Sequence, residues 1–452
     1  MSIVLPWSEF KTYVAEIGPD RGRPLREATR GIAPKRRCGL AMMHRRTFGM
    51  PFVAVAVMLA LLAGGRLSIG RAQDADEKEA ADRLSRYPTD AGLEDHAIAD
   101  APFQMAASSG KDFLLLSHCG ANGTSAVFSG VTTWDLCFDA VSRYGLIIRL
   151  AGFRKSPTAP LMRVLFDARI SEIFVPYHAG SPRFFDVSDF NFPLLTLTAA
   201  DCPRPRLIIG GGKVCREFRD RGLAWKNDGL VRRGLELVLW AVIDAANYNY
   251  VIEWAFRDDG SIAGRAGSTG PKLGGPDDTS GHIHNFTWRL DVDLNGAGGD
   301  SVHLTRHAEN FLVNPSTSAD AESLIAVEGG RIWSPTTFNT LEIHDSLLQN
   351  GRGRPTAYEL VPLRTGTARH TELYTRNDFW VTAFSSTELL AKFLPSYVNG
   401  QNVGNADIVM WYTSSAHHEN GMRDEDRDTV PLLWTGFELV PQNLFDRTPF
   451  HR

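Results

Sequence analysis

Residues 235–262 read LELVLWAVIDAANYNYVIEWAFRDDGSI and carry the pattern that decides the fold. Two runs rich in Val, Ile, Leu and Trp, residue types that favour β-strands, flank a short polar stretch at 244–250. In that stretch two asparagines alternate with two tyrosines, Tyr248 and Tyr250. Such a stretch fits an edge strand or a hairpin that crosses solvent. It also fits a strand on which one tyrosine is a reactive centre.

The same pattern of strand-like runs recurs from about residue 112 to the C-terminus. Short runs rich in branched and aromatic residues are separated by clusters of Gly, Asp, Asn and Pro, as in YGLIIRLAGF, EIFVPY, RLIIGGG, FTWRLDVDL, DFWVTAF and DIVMWYT. Long amphipathic helical patterns are scarce, and no repeat of fixed period occurs. The sequence therefore predicts a mainly β protein, with one large antiparallel β-sandwich over 112–452. Residues 73–111, acidic and rich in alanine, are predicted to form a lead-in segment.

The charge of the chain is unevenly distributed. The 452 residues carry a formal net charge of −4, but residues 1–72 contain twelve Lys or Arg against four Asp or Glu. This leaves a net charge of −12 on residues 73–452. A chain this acidic is a poor candidate for a nucleic-acid-binding protein, and we expect no nucleic-acid partner.

Residues 44–72 resemble an export signal. The basic segment HRRTF at 44–48 precedes an apolar run at 52–63, which is followed by small residues and a predicted cleavage point after Ala72. The apolar run is too short to span a bilayer, and the paired arginines resemble a twin-arginine signal. We therefore predict a periplasmic or secreted protein without a membrane span. Residues 1–42 are interpreted as a mis-assigned start.

Export permits disulfides. Of the five cysteines, Cys38 lies upstream of the predicted signal, which leaves an even number. Cys202 and Cys215 flank a strand-like run that ends in three glycines, which suits a bridged hairpin. Cys119 and Cys137 could form a second disulfide, but the sequence does not determine whether they pair. No CxxC spacing occurs, which argues against a thiolate metal site.

Histidines and aspartates recur at strand spacing in GHIHNFTWRLDVDLNG. His282 and His284 are two residues apart and share a face of a strand, so they could supply two imidazole ligands to a metal or simply form a polar face. Asp291 and Asp293 repeat the spacing at an odd offset, hence on the opposite face of an unbroken strand, where their oxygens would suit a hard cation or solvent. His417 and His418, after the run DIVMWYT, offer a third imidazole, and spacing alone does not say which one.

Taken in order, four segments resemble the copper amine oxidase family. They are NYNY, GHIHNFTWRLDVDLNG, NADIVMWYTSSAHH and LVPQNLFDRTPF, supported by SEIFVPY, FFDVSDF, ADCPRP, LAWKNDG, GRPTAYELVP and DFWVTAF. The resemblance covers roughly 112–450, which corresponds to the family's catalytic β-sandwich, and the small N-terminal domains usual in the family are expected to be missing.

The resemblance implies a copper and quinone centre. Tyr248, preceded by Asn247, matches the tyrosine that the family oxidises to topaquinone. His282 and His284 match the His-x-His copper ligands, and His418 matches the third ligand, because the family histidine lies five residues beyond the position of Thr413.

Further roles follow from the same resemblance. Asp186 matches the catalytic base, Phe184 the substrate-gate position, and Tyr177 the tyrosine that hydrogen-bonds the quinone. A peripheral calcium site is implied by matches at Asp291, Asp293 and Asp407, with backbone carbonyls of Val292 and Ile408.

The implied activity is oxidation of a small primary amine by O₂ to an aldehyde, ammonia and hydrogen peroxide, by a homodimer. The chain departs from the family in four places: Asn249 replaces an acidic residue, Asp244 replaces Ser or Thr, and the Tyr248–His282 interval is short. The loop after His418 also differs, with ENGMRDED in place of an apolar residue and a Pro-Arg turn. The alternative is a degenerate copper-binding homologue without quinone or oxidase activity; a carbohydrate- or partner-binding sandwich is a third reading. From the sequence alone, Asn249→Asp is expected to speed cofactor formation.

Overall fold

A computed structural model describes most of the region predicted to be the sandwich. The described residues are 119, 122–129, 131–177, 183–202, 206–227, 229–272, 281–306, 321–363, 370–419, 425–426 and 429–449. The predicted mis-assigned start, export signal and lead-in segment, including Cys38, lie outside the described residues.

Within these residues the strands form two antiparallel sheets. The nine-stranded sheet contains β1 (Gly123–Phe128), β2 (Thr132–Val141), β3 (Gly145–Arg154), β4 (Met162–Pro176), β5 (Arg183–Phe185), β11 (His282–Val292), β14 (Gly329–Arg331), β17 (Phe379–Ala383) and β19 (Ile408–His418). The eleven-stranded sheet contains β6 (Arg206–Ile209), β7 (Val214–Asn227), β8 (Leu230–Ala245), β9 (Tyr248–Arg257), β10 (Ile262–Gly270), β12 (Asp300–Arg306), β13 (Ala321–Leu324), β15 (Thr340–Gln349), β16 (Pro355–Leu363), β18 (Gly404–Ala406) and β20 (Val430–Gln442).

Helices are short in the described part of the chain. Two 3₁₀ helices span Leu373–Arg376 and Ala391–Phe393, and helix α1 spans Leu394–Tyr397. None of the helices described here is long and apolar enough to cross a membrane. The predicted large antiparallel β-sandwich is confirmed.

The polar stretch at 244–250 is a hairpin turn between two buried strands. Ala245 of β8 pairs with Tyr248 of β9, and Ala246 has a φ of 61°. A positive φ at the first of two loop residues is typical of a type II′ turn, which usually places Gly there. Because alanine gives no such signal, the sequence looks like a continuing strand. Neither Tyr248 nor Tyr250 crosses solvent, since both are buried.

Aromatic side chains from both sheets form the core between them. Trp254 of β9 lies 5.2 Å from Trp288 of β11, centroid to centroid, and Phe437 of β20 lies 5.2 Å from Trp288. All three rings are fully buried and meet edge to face. Such pairs contribute about 0.5–1.5 kcal/mol each beyond the burial of their area. The sheets are therefore held in a fixed relation beside the site.

Two disulfides are formed. Cys202 forms a disulfide with Cys215. Cys202 precedes the β6–β7 hairpin, and Cys215 lies within β7. The predicted bridge at this hairpin is thus present. Cys119 bonds Cys137, which answers the pairing that the sequence leaves open.

Candidate active site

Three imidazoles converge where β11 pairs with β19. His282 and His284 lie two residues apart on one face of β11, and the register sets His282 directly opposite His418. The Nε2 atom of His282 lies 3.1 Å from Nε2 of His284 and 3.1 Å from Nδ1 of His418. All three side chains are buried, whereas His417 points to the exposed side. The structure therefore brings together the three histidines named from the sequence.

The hydroxyl of Tyr248 lies at the same point. Tyr248 Oη is 3.0 Å from His282 Nε2 and 3.3 Å from His418 Nδ1. The strand that carries it is fixed from the other side by Gly270, whose φ is 110°. A Cβ at Gly270 would meet the carbonyl oxygen of Asn247 at 2.6 Å, so the close approach of the two backbones requires glycine. A tyrosine from one sheet thus faces three histidines from the other.

The donor set fits a metal that prefers imidazole, as copper does. Nitrogens 3.1 Å apart have about the separation of two ligands on one ion with metal–nitrogen bonds of roughly 2.0–2.1 Å. Burial, with smaller contributions from His282 and His418, holds the pKa of His284 well below its usual value, so its ring is neutral and offers a lone pair. His284 Nδ1 is buried and has no hydrogen-bond partner among the described residues.

A carboxylate supports the third imidazole from behind. Glu425 Oε2 lies 2.8 Å from His418 Nε2, and Lys272 Nζ lies 3.0 Å from Glu425 Oε1. Metal-binding histidines usually direct their second nitrogen to such an acceptor, which fixes the ring and its tautomer. Burial is the largest influence on the pKa of His418 and lowers it, although Glu425 opposes the change. No sequence pattern indicates Glu425, because it lies in a loop without periodicity.

A second buried acid lies beside the tyrosines. Asp186 follows β5 and is almost fully buried, and Tyr250 Oη donates a hydrogen bond of 2.6 Å to its Oδ2 atom. Burial raises the pKa of Asp186 to about 7; the hydrogen bond from Tyr250 opposes the rise, while Glu172 and Asp189 add to it. The rings of Tyr250 and Tyr248 stack with centroids 6.2 Å apart. Tyr250 therefore contacts both the predicted base and the predicted cofactor precursor.

Glu172 fixes the backbone around that acid. Its Oε1 atom accepts hydrogen bonds from the backbone N–H groups of Ile173, Val187 and Ser188 at 3.0, 3.0 and 3.3 Å, and its Oε2 accepts the Ser188 hydroxyl. Burial raises the pKa of Glu172 to about 7 in spite of these bonds. The segment that begins at Asp186 is thereby tied to β4.

The remaining predicted residues surround these groups. The Tyr177 ring stacks on the His282 imidazole with centroids 4.2 Å apart, and Phe184 meets Tyr177 edge-on at 6.0 Å. Asn247 lies in the hairpin turn, and its side-chain amide donates to the carbonyl of Pro271 at 3.2 Å. These contacts place Tyr177 against the histidine cluster and Phe184 next to it.

The C-terminal part of the chain matches a known protein-family profile. Residues 277–452 match the family profile described as "Copper amine oxidase, enzyme domain". Over these residues the chain is similar to the copper amine oxidases.

Curated primary amine oxidases match at low identity. Primary amine oxidase 2 of Arabidopsis thaliana is 25% identical over 387 residues, which covers 70% of this chain and 57% of that protein. A primary amine oxidase of Klebsiella aerogenes is 23% identical over 401 residues, covering 70% of this chain and 52% of its own length. The chain therefore spans little more than half the length of these relatives.

Solved copper amine oxidases share the fold. The copper-containing benzylamine oxidase from Hansenula polymorpha superposes with a TM-score of 0.59 at 21% identity, over 73% of this chain and 62% of its own. The Aspergillus nidulans amine oxidase gives a TM-score of 0.55 at 17% identity, over 72% of this chain and 52% of its own. At these identities the likeness concerns the fold alone.

The three aspartates named from the sequence also come together. Asp291, Asp293 and Asp407 each offer an oxygen within 4.8 Å of the others. Both carboxylate oxygens of Asp291 are buried without hydrogen-bond partners among the described residues, and burial raises the pKa of Asp291 to about 8, although Arg289 opposes the rise. Arg163 Nη1 binds Asp293 Oδ2 at 2.8 Å. A cluster of buried carboxylates is costly unless a cation compensates it.

Proposed function

We propose that the chain is a primary-amine oxidase that uses copper held by His282, His284 and His418 and a topaquinone formed from Tyr248. One observation carries the proposal: Tyr248 Oη lies 3.0 Å from His282 Nε2 and 3.3 Å from His418 Nδ1, inside a buried cluster of three imidazoles. A structural tyrosine in a core would find one hydrogen-bond partner. This one faces three potential metal ligands.

Copper would supply oxygen chemistry at the tyrosine ring, and the resulting quinone would supply the electrophilic carbonyl and electron acceptor for the amine. The protein holds the metal ligands in place and orients the Tyr248 ring toward them. The β11–β19 register fixes the imidazoles, Glu425 fixes the His418 ring, and the hairpin at 245–248 aims the phenol at them.

Asp186 is proposed as the base that removes a proton from the carbon bearing the amine. A useful base has a pKa near the working pH, and burial raises the pKa of Asp186 to about 7. Tyr250 holds its Oδ2 atom in place, which leaves Oδ1 to take the proton. The products would be the aldehyde, ammonia and, after re-oxidation by O₂, hydrogen peroxide.

The test is to add copper in air to metal-free protein and to follow the visible spectrum. We expect a quinone band that reacts with phenylhydrazine, followed by hydrogen peroxide release on addition of benzylamine or a short alkylamine. Tyr248→Phe should bind copper and form no band. Copper binding without any band in the unmodified protein would indicate the degenerate, non-oxidase homologue instead.

We further propose that Asp291, Asp293 and Asp407 hold a calcium-class ion, with carbonyl oxygens of Val292 and Ile408 as additional ligands. The two buried carboxylate oxygens of Asp291, which make no hydrogen bond among the described residues, support this, since hard oxygen ligands suit Ca²⁺. Calcium should raise the melting temperature of the unmodified protein and not that of Asp291→Asn. Asp189→Asn is the control, because Asp189 is an exposed carboxylate that binds Lys392 at 2.6 Å. Calcium should raise the melting temperature of this variant as much as that of the unmodified protein.

Export to the periplasm or the exterior and assembly as a homodimer are proposed with it. The two disulfides support an oxidising compartment, and the dimer rests on the family resemblance. Cell fractionation and light scattering test these two points directly.

A further inference from the structure

A second group of metal-binding side chains lies on the eleven-stranded sheet, outside the site described above. His303 of β12, Glu322 of β13 and His344 of β15 each offer one ligand atom, and these atoms lie within 4.8 Å of one another. The strand order β13-β12-β15 makes the three strands neighbours at one end of the sheet. The mechanism uses none of these residues.

The register explains why the side chains meet. His303 pairs directly with Glu342 of β15, and His344 pairs with Ser301, two residues before His303. On the other side of β12, Glu322 pairs with Thr305, two residues after His303. Residues directly opposite or diagonal on one face of a sheet are within reach of long side chains. Both imidazoles and both carboxylates therefore project from the same face.

The geometry within the group is that of ligands around a common point. The two imidazole centroids are 4.6 Å apart, and Glu322 Oε2 lies 3.6 Å from His303 Nδ1. Glu342 Oε1 lies 3.2 Å from His344 Nε2, yet that nitrogen is buried and makes no hydrogen bond within the described part of the chain. A ring nitrogen that lies beside a carboxylate without a hydrogen bond to it is free to bind a metal ion together with that carboxylate.

We propose that His303, His344 and Glu322, with Glu342 as a neighbouring carboxylate, bind a divalent transition-metal ion of the zinc class. Two imidazoles and a carboxylate form a nitrogen and oxygen set that suits Zn²⁺ and its neighbours, while the all-oxygen aspartate cluster suits calcium. The side chains are 25%, 21% and 48% exposed for His303, His344 and Glu322, so the ion can enter from solvent. Because β13 pairs with β12 alone among the described strands, the ion would tie this edge strand to β12 and β15.

The experiment measures zinc bound per chain by equilibrium dialysis of metal-stripped protein, in excess calcium to occupy the aspartate cluster. The unmodified protein should bind one equivalent at the three-histidine site and one at this site. His303→Ala and His344→Ala should each lose one equivalent and retain the other. His417→Ala, which removes an exposed histidine outside both clusters, is the matched control and should lose none.

A second variant and a second measurement distinguish loss of the metal site from misfolding of the histidine variants. Glu322→Gln changes a half-exposed side chain and should weaken zinc binding at this site at least about tenfold, the lower end of the loss seen when groups around a metal are removed. Zinc should also raise the melting temperature of the unmodified protein more than that of Glu322→Gln. Equal stoichiometry and equal affinity in the unmodified protein, His344→Ala and Glu322→Gln would overturn the proposal.

Discussion

Tyr250 Oη lies 2.6 Å from Asp186 Oδ2, with both groups buried, so the predicted base carries a hydrogen bond from the strand that holds the cofactor precursor. Burial is the main cause that raises the pKa of Asp186, and this bond limits the rise because it stabilises the charged carboxylate. Burial and Asp186 itself raise the pKa of Tyr250 well above its usual value, so the phenol remains a donor. The pair sets the pH at which the base becomes available.

Replacing Tyr250 with Phe should therefore move the acid limb of the pH–rate profile upward. Activity needs the Asp186 carboxylate, so in the unmodified protein it should rise as pH increases through about 7. A hydrogen bond to a charged group contributes about 1.5–3 kcal/mol, so its loss should move the limb about one pH unit or more. Turnover of Tyr250→Phe near neutral pH should fall and recover at higher pH.

Tyr358→Phe is the matched control for that experiment. Tyr358 lies on the same sheet as Tyr250 and is also fully buried, and its hydroxyl donates a 2.9 Å hydrogen bond to the carbonyl of Gly260 in the β9–β10 turn. Its loss should cost similar stability and leave the pH profile in place. Superimposable profiles for Tyr250→Phe and the unmodified protein would show that Asp186 does not govern the acid limb.

Asp186→Asn should separate the chemistry from cofactor formation. The amide cannot accept the substrate proton, and general-base catalysis contributes roughly 10²–10⁴-fold, so amine turnover should fall by about that factor. Copper content and the phenylhydrazine-reactive band should persist, because Asp186 contacts Tyr250 and not the histidines. Asp189→Asn, with its exposed ion pair to Lys392, should retain activity. Comparable turnover in the two variants would exclude Asp186 as the base.

The sequence predicts those features that depend on local periodicity. Strand spacing alone sets His282 and His284 on one face, and the same two-residue rule could have joined Tyr250 to Tyr248. Contacts across the fold escape it: Glu425 and Glu172 act through pairings that no local pattern encodes, and the turn at Ala246 has no glycine to mark it. The choice of His418 over His417 came from the resemblance, because only the β11–β19 register distinguishes them physically.

That choice has its own test. His418→Ala should lose the copper equivalent held by the three-histidine cluster, because Nδ1 of His418 lies 3.1 Å from Nε2 of His282 in that cluster. His417→Ala should retain that copper equivalent, since His417 projects from the exposed side of the same strand. Metal analysis after dialysis measures both. Copper retained in His418→Ala and lost in His417→Ala would reverse the assignment.

Asp244 and Asn249, two of the departures from the family pattern, are direct partners across the β8–β9 hairpin. The family has Ser or Thr at the position of Asp244 and an acid at that of Asn249. This chain has the acid on the opposite strand, on the same face, with Cβ atoms about 4.5–5.5 Å apart as in any directly opposed pair. The two departures thus amount to one exchange of an acid between paired positions.

This register reverses the expectation for Asn249→Asp. The variant would place two carboxylates directly opposite each other, and like charges there are destabilising. We expect Asn249→Asp alone to lower the free energy of unfolding and to slow the appearance of the quinone band after copper is added in air. The double variant Asp244→Thr/Asn249→Asp, which restores the family arrangement, should recover both quantities, so that the two changes are not additive. Faster band formation in the single variant, or strictly additive effects in the cycle, would show that the two positions act independently and that the loss of the acid at 249 is uncompensated.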